Sequence, residues 1–146
     1  MSTNISKSQS ILNIQSLARF IVILNGVMNV LPGLALLFAP AWFFQIANFP
    51  PFNQHFMGDA GAFSLAIGVG LLFAARDPFQ HRLLIGSAAL GGLVHVGNHL
   101  YDDFVVRGGA SPNLITNTLP LFVLAALLLG VVILPARPTR SSRSAP

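Results

Sequence analysis

The sequence predicts an all-α integral membrane four-helix bundle with both termini in the cytoplasm. Three observations carry this prediction. Of 146 residues, 53% are hydrophobic and only 8% charged, whereas ordinary soluble domains are about 25% charged. The acidic residues are four aspartates, and glutamate, a staple of water-facing helices, is absent. Four apolar stretches each approach the length of about 20 residues that a helix needs to cross a ~30 Å hydrocarbon core.

The first span is Phe20 to Ala39, and it holds Asn25, Asn29 and Pro32. Pro32 removes one N–H from the helical ladder and is expected to kink it. Ala39-Pro40-Ala41 has the small-residue spacing of a signal-peptide cleavage site. The preceding apolar run nevertheless exceeds the ~7–15 residues of a signal h-region, so a membrane anchor is expected. The second span runs over 56–75, the third over 83–102 and the fourth over 117–134. Breakers separate them: Pro40, Pro50 and Pro51, then Asp77-Pro78, then Gly108-Gly109 and Ser111-Pro112. Trp42, Phe43 and Phe44 suit an interfacial aromatic belt along the membrane surface. Residues 1–16 form a cytoplasmic tail, 17–135 the transmembrane domain and 136–146 a basic tail; about ten residues at each end have disordered composition. No repeat of fixed period is visible.

Orientation follows from the basic residues. Lys7, Arg19, Arg76, Arg82, Arg137, Arg140 and Arg143 fall on one side of the four spans and only Arg107 on the other. An excess of Lys and Arg marks the cytoplasmic side. These residues are scattered singly, with no basic patch interleaved with aromatics, so nucleic acid is excluded as a partner. The expected partners are the lipid bilayer, other membrane subunits or further copies of the chain. Cysteine is absent, which removes disulfides, thiolate metal sites and cysteine nucleophiles.

Ionisable groups inside hydrocarbon cost several kcal/mol by insertion scales and commonly mark function. On the third span His95, Asn98, His99 and Asp102 form one helical stripe, continued by Gly91 and Gly92. Asp59 on the second span is expected at the depth of His99 and paired with it, His95 lying one turn deeper. With Asn25 and Asn29 of the first span and Thr116, Asn117 and Thr118 of the fourth, these groups are expected to line a polar cavity. It would open outward and narrow toward His95 and Asn29. The bland readings stand beside this one. An Asp59–His99 pair can be interhelical glue, the asparagines can bond their own helix, and Asp103 and Tyr101 can be interfacial anchors. His55 and His81 read as loop residues, and the glycines of AIGVG and GGLVHVG as packing devices.

Three chemistries fit the stripe. A divalent metal could take His95 and His99 with Asp59 or Asp102. A quinone could exchange a proton with a His–Asp pair. Haem is disfavoured, because both span histidines lie on one face of one helix. The second span and its flanks, HFMGDAGAF followed by LAIGVGLLFAARDP, and the third-span ending HVGNHLYDD resemble the small bacterial DoxX-like membrane proteins over roughly Ala18 to Leu134. The resemblance implies a four-helix bundle in a bacterial inner membrane, and for some members a link to quinone-dependent redox or sulfur metabolism. The lack of cysteine puts any thiol-dependent version of that chemistry out of reach. Two functions are therefore expected: a membrane-embedded quinone- or metal-binding or redox-accessory protein, or a structural subunit whose stripe is helix–helix glue.

Overall fold

A computed structural model describes residues 2–47, 51–112 and 114–134, with side chains from Ile14 onward. Every regular element among them is helical: α1 (Ser2–Phe38), α2 (Pro40–Ala47), α3 (Gln54–Ala74), α4 (Arg82–Tyr101) and α5 (Leu119–Ile133). A π-helical turn, Asp102–Val106, prolongs α4, and another, Leu114–Thr118, leads into α5. Four stretches are long and apolar enough to cross a membrane: Ile14–Phe38, Gln54–Ala74, Arg82–Val106 and Leu114–Ile133. They match the four expected spans, with the last two helices extended by the π turns.

Local chemistry explains the boundaries. Asn53 caps α3 by accepting a hydrogen bond from the Phe56 N–H at 3.0 Å. Asp77 closes the turn before α4 by accepting from the Gln80 N–H at 3.3 Å. Gly108, at φ 78°, supplies the left-handed residue that reverses the chain between the π turns. The aromatic segment after the first span forms α2, none of whose residues is buried. α1 continues as helix through Pro32. It also runs back to Ser2, through residues whose composition predicted a disordered tail, since extending a formed helix avoids the nucleation cost. The disordered tail expected over 136–146 lies outside the described residues.

The helices are assembled as two hairpins. In the first, α1 and α3 pack along their length in one antiparallel register. Gly26 lies against Gly68 and Gly33 against Gly61, so backbones meet where side chains are missing. A Cβ on Gly68 would stand 2.7 Å from the Val30 nitrogen, and one on Gly33 2.7 Å from the Leu65 nitrogen. In lipid, where tails compete for apolar contact, such close packing of small residues is what holds helices together. In the second hairpin α4 and α5 are antiparallel, and a Cβ on Gly92 would lie 3.0 Å from the Ala125 Cβ.

These hairpins repeat one another. Arg19 opens the first and donates through Nε to the Ala75 carbonyl at 3.1 Å and through its terminal nitrogen to Arg76 at 3.0 Å. Arg82 opens the second and donates to the Leu134 carbonyl. Each arginine thus clamps the last carbonyls of its partner helix, where the helix dipole favours a cation. Three residues after each arginine comes a fully buried side chain, Val22 or Ile85, and a turn before each clamped carbonyl comes another, Leu71 or Val131. The sequence showed no repeat because few identities are shared and the connections differ in length: Arg19 to Arg82 spans 63 residues, Leu71 to Val131 only 60.

The four side chains meet in one core cluster with Ala18, Ile21, Ala74, Ala75, Ala89 and Leu128. All of it lies at the arginine end. Elsewhere the hairpins touch little, and the outer surface is apolar, with Leu83 87%, Phe38 80% and Ile133 76% exposed. A water-soluble monomer rarely presents so much contiguous apolar surface.

Candidate functional site

α4 has two working faces. Ile85, Ala89, Gly92 and Val96 face α5. About a quarter turn away, Leu84, Ala88, Gly91, His95, Asn98 and Asp102 succeed one another at three- and four-residue steps. At the arginine end this second row meets α3, where Leu84 comes within 3.7 Å of a Cβ placed on Gly70. The matching row on α3 is Gly70, Ala66, Phe63 and Asp59. Beyond the Gly70–Leu84 contact the rows part: Phe63 is 72% exposed and a Cβ on Gly91 would meet nothing within 4 Å. The polar stripe therefore lines an open cleft between the hairpins. The polar space expected from the sequence also opens outward; the large contacts lie within hairpins and leave the space between them unfilled.

Within the stripe, His95 and His99 engage each other. Their Nε2 atoms are 3.1 Å apart and their ring centroids 4.8 Å. At that separation the Nε2–H of one ring can donate to the Nε2 lone pair of the other, the roles being set by the tautomer of each imidazole. His95 and Asn98 are exposed, His99 and Asp102 half-buried. Among the described residues the side chains of Asn98 and Asp102 make no hydrogen bond. The hydrogen bond within the stripe, His95 to His99, stays on α4.

Asp59 does not pair with His99. Its carboxylate lies 3.5 Å from His55 Nε2, both side chains well exposed. The physical reason is the parting of α3 and α4, which leaves each helix to satisfy its polar groups one turn along itself. Counting equal rises from the Gly70–Leu84 contact places Asp59 level with His95, one turn deeper than expected. His55, expected in a loop, sits in the first turn of α3. His81 does lie outside the helices, packed 5.1 Å from Phe73.

The asparagines follow their bland reading. Asn25 is buried and donates to the Ile21 carbonyl at 3.0 Å, and Asn29 donates to Asn25 at 2.9 Å. Ser64 of α3 donates to the Asn29 carbonyl at 2.9 Å, beside the Met28 carbonyl that Pro32 leaves without its helical donor. Asn29 thus belongs to the α1–α3 joint and not to the cleft.

A three-ligand metal site from His95, His99 and Asp59 is not assembled. Among the described residues no group of three His, Cys, Asp or Glu side chains is close enough to hold one ion. The His pair alone has a chelating geometry: two imidazoles on a tetrahedral ion, each ~2.0–2.1 Å away, stand ~3.3 Å apart. A structural ion needs more ligands than the pair provides.

Sequence reasoning missed Asp103. It is 2% exposed, and Oδ1 accepts from Ser111 Oγ at 2.6 Å and from Arg107 at 3.4 Å. Oδ2 is buried and accepts nothing. An interfacial anchor would have been solvated; the π turn instead rotates Asp103 inward, onto the connection to α5. The i, i+4 spacing of Asp103 and Arg107 was the available signal. Tyr101, by contrast, is 57% exposed, as an anchor would be.

The chain matches no family model, no characterised protein and no solved structure. Its function has to be argued from its own residues.

Proposed function

We propose that this is a multi-pass protein of a bacterial inner membrane, with both termini in the cytoplasm, that binds a quinone headgroup in the cleft between its hairpins as a redox-accessory protein. The observation that carries the reading is the His95–His99 pair: two imidazoles bonded to each other, on an apolar helix, facing open space. Four spanning-length helices, an apolar exterior and the arginines gathered at one end support the membrane and its orientation. On that reading His95 lies just beyond the midplane and His99 one turn further out, at a depth a lipid-soluble ring reaches sideways from the bilayer.

The cleft suits a flat ring carrying two carbonyls. One oxygen can accept an Nε2–H from His95 or His99 in exchange for the bond between the two rings. The opposite oxygen is turned toward α3, where Asp59 stands level with His95 and Phe63 offers an aromatic edge. If the bond between the rings opens, the freed Nε2 lone pair of the other histidine can take the proton of a quinol hydroxyl, turning that imidazole into an imidazolium and leaving the quinol oxygen as an anion. Asn98 and Asp102, which have no internal partners, remain free to bond the ring substituents or a partner helix. The resemblance to DoxX-like proteins accords with a quinone, and the two-ligand limit of the His pair disfavours a metal.

The test is mass spectrometry of organic extracts of the purified protein, with elemental analysis alongside. Wild-type chain should carry quinone, and His99→Asn should lose it roughly tenfold, as expected when one hydrogen bond to a ligand is removed, with melting in detergent unchanged. Quinone-free wild-type protein would sink the proposal. If His99→Asn instead alters oligomeric state or co-purifying subunits, the stripe is glue between chains and the structural-subunit reading takes its place.

A further inference from the structure

We infer that the arginine end carries a site for one anionic phospholipid, its headgroup phosphate held by Arg19 and Arg76. A groove of about 540 Å³ opens there, lined by Arg19, Ile23, Leu72, Ala75 and Arg76. It has the two parts a lipid requires. At its mouth stand two guanidiniums that are already oriented. Arg19 is fixed by its bonds to the Ala75 and Arg76 carbonyls, which engage Nε and one terminal nitrogen and leave the other amino group for a ligand. Arg76 rests over the Phe73 ring, 5.3 Å from its centroid. Below them the walls are aliphatic: Ile23 is 40% and Leu72 37% exposed. They follow the α1–α3 seam toward Gly26, where the missing side chain lets Leu72 lean in.

Charge and shape both favour a lipid. Arg19 neutralises the C-terminal carbonyls of α3 and Arg76 adds a full positive charge, while the neighbouring carboxylate, Asp77, is turned to the Gln80 N–H. Arg82 is committed to Leu134 and Phe79 and takes no part. The groove is shallow and open along its length, which suits an acyl chain lying against a helix pair better than a small soluble ligand. Guanidiniums at the membrane–water boundary meet the phosphates of the cytoplasmic leaflet. The inference rests on the membrane reading and is independent of the His pair.

The full chain in neutral detergent, titrated with phosphatidylglycerol or phosphatidylcholine of identical acyl chains, gives the test by native mass spectrometry. One phosphatidylglycerol should be retained per chain in preference to phosphatidylcholine. Arg76→Gln should weaken retention about fivefold, the worth of one arginine near an anionic surface. Arg19→Gln also removes a helix clamp, so Arg76→Gln is the decisive variant, its fold checked by melting. Arg140→Gln, with the same charge change in the tail, should retain lipid as wild type does. Equal retention of the two lipids, an equal loss in Arg140→Gln, or displacement of the lipid by millimolar inorganic phosphate would overturn the inference. Each would leave the quinone test at His99 untouched.

Discussion

Single residues carry two kinds of polar burial here. Asn25, Asn29 and Ser64 spend their donors on backbone carbonyls of α1, the cheapest way to satisfy a polar side chain in an apolar bundle. Asp103 is different, because its partners lie on the far side of a chain reversal. It ties the π turn after α4 to the Ser111 hydroxyl, fixing the path into α5. Asp103→Ala should therefore cost about 1–3 kcal/mol, the range for stripping buried donors of their acceptor. Asp103→Asn keeps an oxygen for Ser111 and should cost under about 1 kcal/mol, since Arg107 is partly exposed and its pairing is screened. Thermal melting in detergent separates the two. A neutral Asp103→Ala would mean that the turn holds itself. In the sequence only the i, i+4 spacing of Asp103 and Arg107 separates Asp103 from its neighbour Asp102, and it does not foretell the burial. The π turn decides which of them faces inward, and a 3.6-residue period does not anticipate it.

At the scale of elements, spans were legible and their partnerships were not. Apolar length fixes where Gln54–Ala74 and its fellows lie, because each run is long and apolar enough to cross a membrane as a helix. Which helix lies closest to which depends on glycines at matching heights on α1 and α3, and that register is visible only once the pair is built. The candidate site shows the same limit. The one-helix stripe of His95, Asn98, His99 and Asp102 followed from periodicity, whereas the Asp59–His99 pair required a distance between helices that no periodicity supplies. The packing argument has a sharp consequence. Gly68→Ala or Gly33→Ala drives a methyl against backbone and should cost at least about 1–3 kcal/mol, the usual price of overpacking. Gly97, whose added Cβ would meet nothing within 4 Å, lies on α4 away from any neighbour. Gly97→Ala should be neutral or stabilising by up to about 1 kcal/mol through helix propensity. Comparing the melting temperatures of the three variants tests the seam directly. If all three behave alike, α1 and α3 do not approach as closely as their glycines allow.

For the whole molecule, the two hairpins run in the same direction and share one core at the arginine end. Both clamps, Arg19 and Arg82, and the turn from Ala75 to His81 then lie together, and the Asp103–Arg107 turn lies opposite. This arrangement makes orientation a property of the whole fold: if one hairpin inserts with its arginine inward, the shared core forces the other to do the same. The membrane reading predicts which side is which, because Lys and Arg resist translocation. The cysteine-free sequence lets the prediction be tested without background. Ala110 and Gln80 are both exposed and sit at opposite ends of the molecule. In intact cells opened only at the outer membrane, Ala110→Cys should react with a membrane-impermeant maleimide. Gln80→Cys should react only after the inner membrane is permeabilised. The reverse pattern would turn the bundle over and move the His95–His99 pair to the cytoplasmic leaflet. Labelling of both without permeabilisation would remove the hydrocarbon from around α4, and with it the reason to regard the two imidazoles as a site.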